Sequence, residues 1–326
     1  MKERLLEYLE AQEGGYVSGA ALCDQLGITR SAIWKWVEQL RKDGYKIEAV
    51  SSRGYRLVEK PDRLYPWEVG RGLGTEIIGT RFHYEPVLDS TNTKCKKLAR
   101  DGAPEGLVVL TEEQRAGRGR RGRNWVSPPY LGIYCSVLLR PQIPLQQVAQ
   151  MSLMTAVALQ AEIEGSTIKW PNDLLIGDRK LGGILVEVDA EPDLVKAVIV
   201  GFGINVNQEQ DQLLLDLQKT ATSLRISHQR SFARVALLQR LLLSLERTYK
   251  GFLSEGFGPI LQRCKAVCST LKREVVVYKP GGDILQGTAL DIAADGALVV
   301  QSTTGGLVPV YAGEVSVRTQ NQAFLE

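Results

Sequence analysis

The chain has 326 residues, 44% of them hydrophobic, which supports large buried cores in two or three domains and excludes a predominantly disordered protein. A formal net charge of only +3 gives no general attraction to nucleic acid or to an anionic membrane, so any such contact must come from a local patch. Five cysteines without a C-x-x-C pair, two histidines, and the amphipathic, acidic start MKERLLEYLE in place of a secretory signal point to a cytoplasmic protein with reduced thiols, no structural metal and no membrane.

Residues 1–62 read as a first domain, closed by a connector around Pro61, Arg63 and Pro66. Within it, GYVSGAALCDQLGITRSAIWKWVEQLRKDGYKIEAVSSRGYRL predicts a helix from about Ser18, a turn at Gly27-Ile28-Thr29, a second helix capped by Thr29 or Ser31, and a hairpin with Gly54 near its tip. Ala21, Leu22, Leu26, Ile28, Ile33, Val37 and Leu40 recur at spacings that bury one helical face, which leaves Arg30, Ser31, Trp34, Lys35 and Gln39 facing outward. This is the pattern of a winged helix-turn-helix. Its second helix suits a major groove, and Ser51, Ser52, Arg53 and Arg56 on the wing suit phosphates. Ten Lys or Arg against nine Asp or Glu in residues 1–60 give no support from charge, and a protein-contact module is the alternative. DNA binding is favoured because basic and amide side chains concentrate on the presumed recognition helix and wing.

From residue 67 to 268, helical patterns alternate with the apolar segments LVVL, GILVEV and AVIVGFGINV, and a long helix is expected from Phe232 to about Phe252. This reads as a mixed sheet with covering helices. Residues 270–326 turn to EVVVYKP, ALVVQ and LVPVYAGEVSVR, separated by GGD, ADG and TTGG turns, which predicts a small β-barrel. The class is therefore α+β, in three domains.

The segment QRAGRGRRGRNW, residues 114–125, carries five arginines and three glycines with no acidic residue. Gly117, Gly119 and Gly122 satisfy G-x-G-x-x-G, but NWVSPP follows where a dinucleotide fingerprint must open a helix, and no kinase catalytic sequence or P-loop accompanies it. A single copy between strand-like segments is also unlike a disordered RG repeat. A loop that folds over an anionic small molecule fits best, with glycines letting backbone N–H groups approach and guanidiniums donating to phosphate or carboxylate.

Some 50 residues on, IKWPNDLLIGDRKLGGILVEV places Asn172 and Asp173 on a turn made by Pro171, and the IGDRK turn returns Lys180 along an antiparallel partner. Alone these are an Asx turn and a hairpin tip. Beside the arginine loop, Asp173 suits a magnesium ion or an incoming amine, while Lys169 and Lys180 suit a carboxylate and phosphates. In LDSTNTKCKKLA, Ser90 or Thr91 caps a helix through Leu98; the sharper alternative is a ligand held by Ser90, Thr91, Asn92 and Gln114.

STN at 90–92, EEQRAGRGRRGRNWVSP at 112–128, KWPNDL at 169–174, RKLGGILVE at 179–187, GFGINVN at 201–207, ATSL at 221–224 and GEVSVR at 313–318 closely resemble the biotin protein ligases. With the winged helix in front, the chain resembles the bifunctional type that also represses the biotin operon. The resemblance spans nearly the whole chain. It implies the biotin/lipoate ligase fold, which is class II synthetase-like, with an SH3-like barrel at the C-terminus. It implies activation of biotin with ATP and Mg2+ to biotinyl-5′-AMP, then transfer to a lysine of the biotin carboxyl carrier protein of acetyl-CoA carboxylase. By position, Ser90, Thr91, Gln114 and Gly117 would bind the ureido end, with Asn92 and Gly183 in the same pocket. Lys180 and Arg118 would take the biotin carboxylate and its acyl phosphate; Arg120 and Arg121 would contact phosphates and retain the adenylate; Trp125 would line the closed loop; and Asn205 would lie near the adenylate. Lys169 would stabilise phosphoryl charge and Asp173 would orient magnesium or the attacking lysine. Residues 208–220, QEQDQLLLDLQKT, offer no aromatic to cap adenine.

The resemblance also implies that adenylate orders the 114–128 loop and completes a homodimer, presenting two winged helices to operator DNA. A lipoate-type ligase shares the general fold, and a non-catalytic ligand-sensing repressor shares the winged helix and pocket. GRGRRG and KWPND favour biotin over lipoate, and the intact Lys169, Asp173 and Lys180 favour turnover over sensing alone.

Overall fold

Ser18 and Thr29 set the N-terminal helices where the sequence places them. In the computed structural model, which describes residues 1–191, 194–279, 283–311 and 313–317, the chain divides into two units, Met1–Arg63 and Leu64–Glu326. The first unit holds α1 (Lys2–Glu10), α2 (Gly19–Leu26), α3 (Arg30–Lys42) and the hairpin β1 (Lys46–Val50) and β2 (Gly54–Glu59). Ser18 Oγ accepts from the Ala21 N–H at 3.1 Å and Thr29 Oγ1 from that of Ala32 at 3.3 Å, while Gly27 ends α2 in the left-handed region at φ +66. Between the two candidate caps of α3, Thr29 is the one used. Leu22, Leu26, Ile33, Val37 and Leu40 are buried, as are Leu5, Leu6 and Leu9 of α1; Ala21 and Ile28 are half-buried at the rim. Gly54 has φ +99, and a Cβ there would stand 1.8 Å from the Val17 carbonyl oxygen. Only glycine lets the wing return this closely, so that Val17 and Tyr55 exchange two 2.8 Å backbone hydrogen bonds.

The second unit continues with α4 (Pro66–Gly70), β3 (Arg81–Leu88), α5 (Thr91–Arg100), β4 (Leu107–Gln114), β5 (Gly132–Leu139), α6 (Val148–Gln160), β6 (Ser166–Lys169), β7 (Asp173–Ile176), β8 (Arg179–Glu191), β9 (Leu194–Asn205), α7 (Leu224–His228), α8 (Arg234–Glu255) and α9 (Gly258–Val267). A seven-stranded sheet runs β3-β4-β5-β9-β8-β7-β6, with β3 and β4 parallel and the other pairs antiparallel. Alternation along β4 explains its two covered faces: Val108 and Leu110 join the main core, while Val109 joins a smaller cluster with Cys95 and Ala99 of α5. Helix α6 is apolar all round because it lies between the sheet and α8. The long helix begins at Arg234, two residues later than the spacing suggests, and runs to Glu255.

The C-terminal strands are β10 (Glu274–Tyr278), β11 (Ile284–Ile292), β12 (Leu298–Ser302), β13 (Leu307–Val310) and β14 (Glu314–Val317), a five-stranded antiparallel sheet in the order β13-β12-β11-β10-β14. Residues 318–326 of the expected barrel, including Arg318 of GEVSVR, lie outside the described residues. Val275, Val277, Ala289, Ile292, Leu298 and Val300 of this sheet belong to the same hydrophobic core as the central helices. The junction is also polar: the Trp170 N–H donates to Thr270 Oγ1 and Trp170 Nε1 to the Gly296 carbonyl, both at 3.0 Å. Among the described residues no helix is long and apolar enough to cross a membrane.

Candidate active site and candidate nucleic-acid face

The arginine loop is built by its glycines. Arg121 (φ +56) and Gly122 (φ +74) are successive left-handed residues that reverse the chain, so that the Gly119 N–H donates to the Arg123 carbonyl at 2.7 Å and the Trp125 N–H to that of Gly117 at 2.9 Å. A Cβ at Gly117 would sit 2.3 Å from the Trp125 oxygen, which places Gly117 beneath the loop. Gln114 clamps the base: its Oε1 accepts from the Thr91 N–H (2.9 Å) and hydroxyl (3.2 Å), and its Nε2 donates to Ser127 Oγ at 2.9 Å. Ser90 caps α5, its Oγ 3.5 Å from the Thr93 N–H.

The loop closes over a cavity of about 470 Å³, floored by β7 to β9 and walled by the 208–221 segment together with Gly313 and Val315. Such a volume suits a small-molecule ligand. Of the residues singled out from sequence, Ser90, Thr91, Asn92, Gln114, Arg118, Arg120, Arg121, Trp125, Lys169, Asp173, Lys180, Gly183 and Asn205 all line it; Gly117 does not. Four arginines and two lysines face two aspartates, Asp173 and Asp178, among the described lining residues. A concave site with that surplus concentrates anions.

The floor is made of glycines for want of room. A Cβ on Gly201 would lie 1.9 Å from Asn92 Oδ1, and one on Gly203 would lie 2.5 Å from Trp125 Nε1. Trp125 therefore packs closely against Gly203 of β9, and the Lys180 ammonium stands 5.6 Å from its ring centroid, within cation–π range. Trp125 Nε1 is buried and meets no acceptor among the described residues. Lys180 Nζ pairs with Asp173 Oδ1 at 2.7 Å. Asp173 is not on the turn, as the sequence suggests, but opens β7 in register with Lys169 and Gly183; the turn itself is Trp170 to Asn172. Pro171 bends the chain one residue earlier than its spacing to Asp173 implies, and pairing with β6 recovers Asp173 for the sheet.

Two further hooks hold the loop. Arg120 Nη1 donates to Asn172 Oδ1 at 3.0 Å, and Arg118 Nη1 stands 3.3 Å from Glu187 Oε1. Glu187 is held in turn by Asn92, whose Nδ2 donates to Glu187 Oε2 (2.8 Å) and to the Leu185 carbonyl (3.1 Å), while its Oδ1 accepts from Ser136 at 2.6 Å. Asn92 thus braces the cavity wall that it also lines. Sequence reasoning missed Asn172, Glu187, Arg123 and Gln208. Asn172 and Glu187 stand in the KWPNDL and RKLGGILVE motifs and Arg123 in the arginine run, but Gln208 carries no local signal.

On the N-terminal unit, Arg30, Ser31, Trp34 and Lys35 share an exposed face of α3, with Trp34 61% exposed. The wing treats its two arginines differently. Arg53 is exposed, its guanidinium 5.8 Å from the Tyr16 ring. Arg56 is half-buried, pairs with Glu48 at 2.6 Å and lies 4.8 Å from the same ring, while the Tyr16 hydroxyl donates to Glu48 at 2.7 Å. The Tyr16 and Arg56 hydrogen bonds hold the Glu48 carboxyl below the usual carboxylate range. Arg56 braces the wing, which leaves Arg53 as its exposed arginine.

Residues 84–205 match the biotin/lipoate A/B protein ligase family, residues 2–56 an HTH domain, and residues 270–318 the biotin protein ligase C-terminal domain. The chain is 38% identical to the bifunctional ligase/repressor BirA of Bacillus subtilis over 97% of its own length and 98% of that protein's. It belongs to the bifunctional biotin ligase/repressor family. It is accordingly an enzyme of the ligase class with an N-terminal helix-turn-helix domain. Within this family, it is 31% identical to the BirA of Escherichia coli over 94% of both chains. The biotin protein ligase from Aquifex aeolicus, solved with biotin and ATP, superposes with a TM-score of 0.61 at 27% identity, covering 73% of this chain and 99% of that one.

Proposed function

We propose that this family member activates biotin with MgATP to biotinyl-5′-AMP and transfers the biotinyl group to a lysine of the biotin carboxyl carrier protein of acetyl-CoA carboxylase. The observation that carries the reading is the cavity itself, where four arginines and two lysines meet an apolar floor under Trp125. A carboxylate and a triphosphate repel each other, and attack of one on the other requires cations that hold both in line. Lys180 and Arg118 take the carboxylate, whose oxygen attacks the α-phosphorus as the bond to pyrophosphate breaks. Lys169, Arg120 and Arg121 stabilise the phosphoryl charge. The carrier lysine then attacks the acyl carbon, oriented by Asp173, and AMP leaves.

The closed loop supports the order of events. A mixed anhydride hydrolyses when water reaches it, and the hooks at Asn172 and Glu187 keep Arg120 and Arg118 over the intermediate. Magnesium fits as an ion carried with the triphosphate: among the described residues no group of three or more His, Cys, Asp or Glu that could hold a metal is gathered, and Asp173 is already paired with Lys180. When bound, the ion neutralises phosphate charge. Leu213, Leu214 and Leu217, which line the cavity, give the adenine an aliphatic cover in place of an aromatic one.

In the same reading, residues 1–62 bind operator DNA through Arg30, Ser31, Trp34, Lys35 and Arg53, residues 67–268 carry catalysis, and residues 270–326 complete the wall at Gly313 and Val315. Adenylate-dependent homodimerisation presents two such helices to two half-sites. The test is biotin-dependent exchange of labelled pyrophosphate into ATP, in wild type and Lys180→Ala. Exchange lost in the variant supports adenylate chemistry in this cavity. A folded wild type that binds biotin without exchange makes the protein a sensor instead.

A further inference from the structure

The segment after β9 carries a buried amide that the reading above leaves unused. Gln208 is 1% exposed and lines the cavity beside Leu213, Leu217 and Ala221. Its orientation follows from its neighbours. Asn205 Nδ2 donates to the Thr222 carbonyl at 3.0 Å, so Asn205 turns its Oδ1 towards Gln208, whose Nε2 donates to it at 3.2 Å. Ser223 Oγ donates to the Gln208 main-chain carbonyl at 2.7 Å and pins the backbone. The donor end of the amide is therefore committed, and the other end is settled by default: Gln208 Oε1 is a buried acceptor that meets no donor among the described residues.

A buried carbonyl oxygen without a donor is a costly arrangement, and in a cavity wall it points to a ligand N–H. The surroundings define the ligand further. Aliphatic side chains at 213, 217 and 221 give the faces that a flat heterocycle needs, and the segment is tied to the cation centre because Lys180 exchanges backbone hydrogen bonds with Thr220 (2.7 Å) and Thr222 (2.9 Å). A ring that carries an amino group on its edge, joined to an anionic chain reaching Lys180, meets both conditions.

We propose that Gln208 reads the exocyclic amino group of the nucleotide base and so selects adenine over 6-oxopurines. The inference rests on the ligase reading and names the nucleotide specificity of that site. A 6-oxo group would set two acceptors against each other in a place closed to water, whereas an amino group gives Oε1 its donor. Specificity thus comes from an edge hydrogen bond with aliphatic packing, in a segment that has no aromatic residue.

The experiment compares single-turnover biotinyl-nucleotide formation from ATP, purine riboside triphosphate (the amine removed) and inosine triphosphate (the amine replaced by oxygen), in wild type and Q208M. Wild type is expected to lose at least about tenfold in kcat/KM when the amine is removed and more with the oxo group, while Q208M discriminates ATP from purine riboside triphosphate by less than about threefold. Equal discrimination by the two proteins overturns the assignment. Should Q208M fail to fold, Q208E is read instead: it keeps an acceptor and must keep the preference for ATP, and losing it also overturns the assignment. A wild type that forms no biotinyl-AMP from ATP overturns the ligase reading and this inference with it.

Discussion

Replacing Arg234 by methionine is expected to destabilise the second unit more than any surface change. Arg234 and Glu112 are both fully buried, at 0% side-chain exposure, and their atoms approach to 2.7 Å. The guanidinium also donates to the Gly132 carbonyl at 3.0 Å, and the carboxylate accepts from the Leu64 N–H at 2.8 Å. One pair therefore ties the first residue of the unit, the middle of β4, the start of β5 and the first residue of α8. Methionine fills much of the space but leaves the Glu112 charge without its partner, a change that costs about 3–5 kcal/mol in buried pairs. At about 2–4 °C per kcal/mol for a unit of this size, the melting temperature should fall by roughly 6–20 °C. The double variant E112L/R234M removes the stranded charge and should recover part of the loss, keeping a deficit of about 1 kcal/mol for each of the hydrogen bonds to Leu64 and Gly132. Thermal and urea unfolding followed by circular dichroism reads both. A single variant within 1 kcal/mol of wild type, or a double variant less stable than the single, would refute the reasoning.

Three further outcomes are expected. Arg120→Gly loses the hydrogen bond to Asn172 and should still make adenylate but release it, labelling bystander proteins; an active variant from which no free biotinyl-AMP is trapped contradicts this. Gly201→Ala puts a Cβ 1.9 Å from Asn92 Oδ1, so Asn92 must leave Ser136 and Glu187, and biotin affinity measured by calorimetry should drop at least about tenfold; unchanged affinity counts against the bracing role. Burial pushes the Glu246 carboxyl up, but the backbone N–H groups of Glu76, Ile78 and Ile77 together with Lys250 outweigh it, so its pKa lies below the ordinary value. A depressed folded pKa gives stability that is present above the unfolded value and lost as pH falls through the folded one; the urea midpoint of Glu246→Gln should therefore be lower at pH 7 and flatter on the acid side, and parallel pH profiles for the two proteins would be inconsistent with it.

Local chemistry is what the sequence displays best. Ser18 and Thr29 as caps, Gly54 in the wing and the left-handed glycines are each legible because a short stretch decides them. The arginine loop stands out as a candidate anion site for the same reason, since five guanidiniums in twelve residues have few other uses. What stayed hidden depends on strand register. Asp173 looked like a turn residue until pairing with Lys169 put it in β7, and Glu187 became part of the site only because β8 carries it beside α5 and the loop. Gln208 shows no signal at all in QEQDQLLLDLQKT; its importance lies in an amide whose other end is already used. Asn92 lines the cavity, and its amide is also held by three protein partners, a bracing role that the STN motif does not display.

Trp170 leaves the protein with one natural seam. Its backbone N–H reaches Thr270 just before β10 and its ring nitrogen the turn between β11 and β12, and the apolar residues of those strands share the core of the central helices. A chain built this way can gain or shed its first 63 residues as a cassette, because the compact units part between Arg63 and Leu64. It cannot trade the last strands for another fold without also unseating the turn that carries Asn172, and with it the hook for Arg120. Regulation is thereby the replaceable part of the molecule, while catalysis and the C-terminal sheet must be inherited, engineered or lost together.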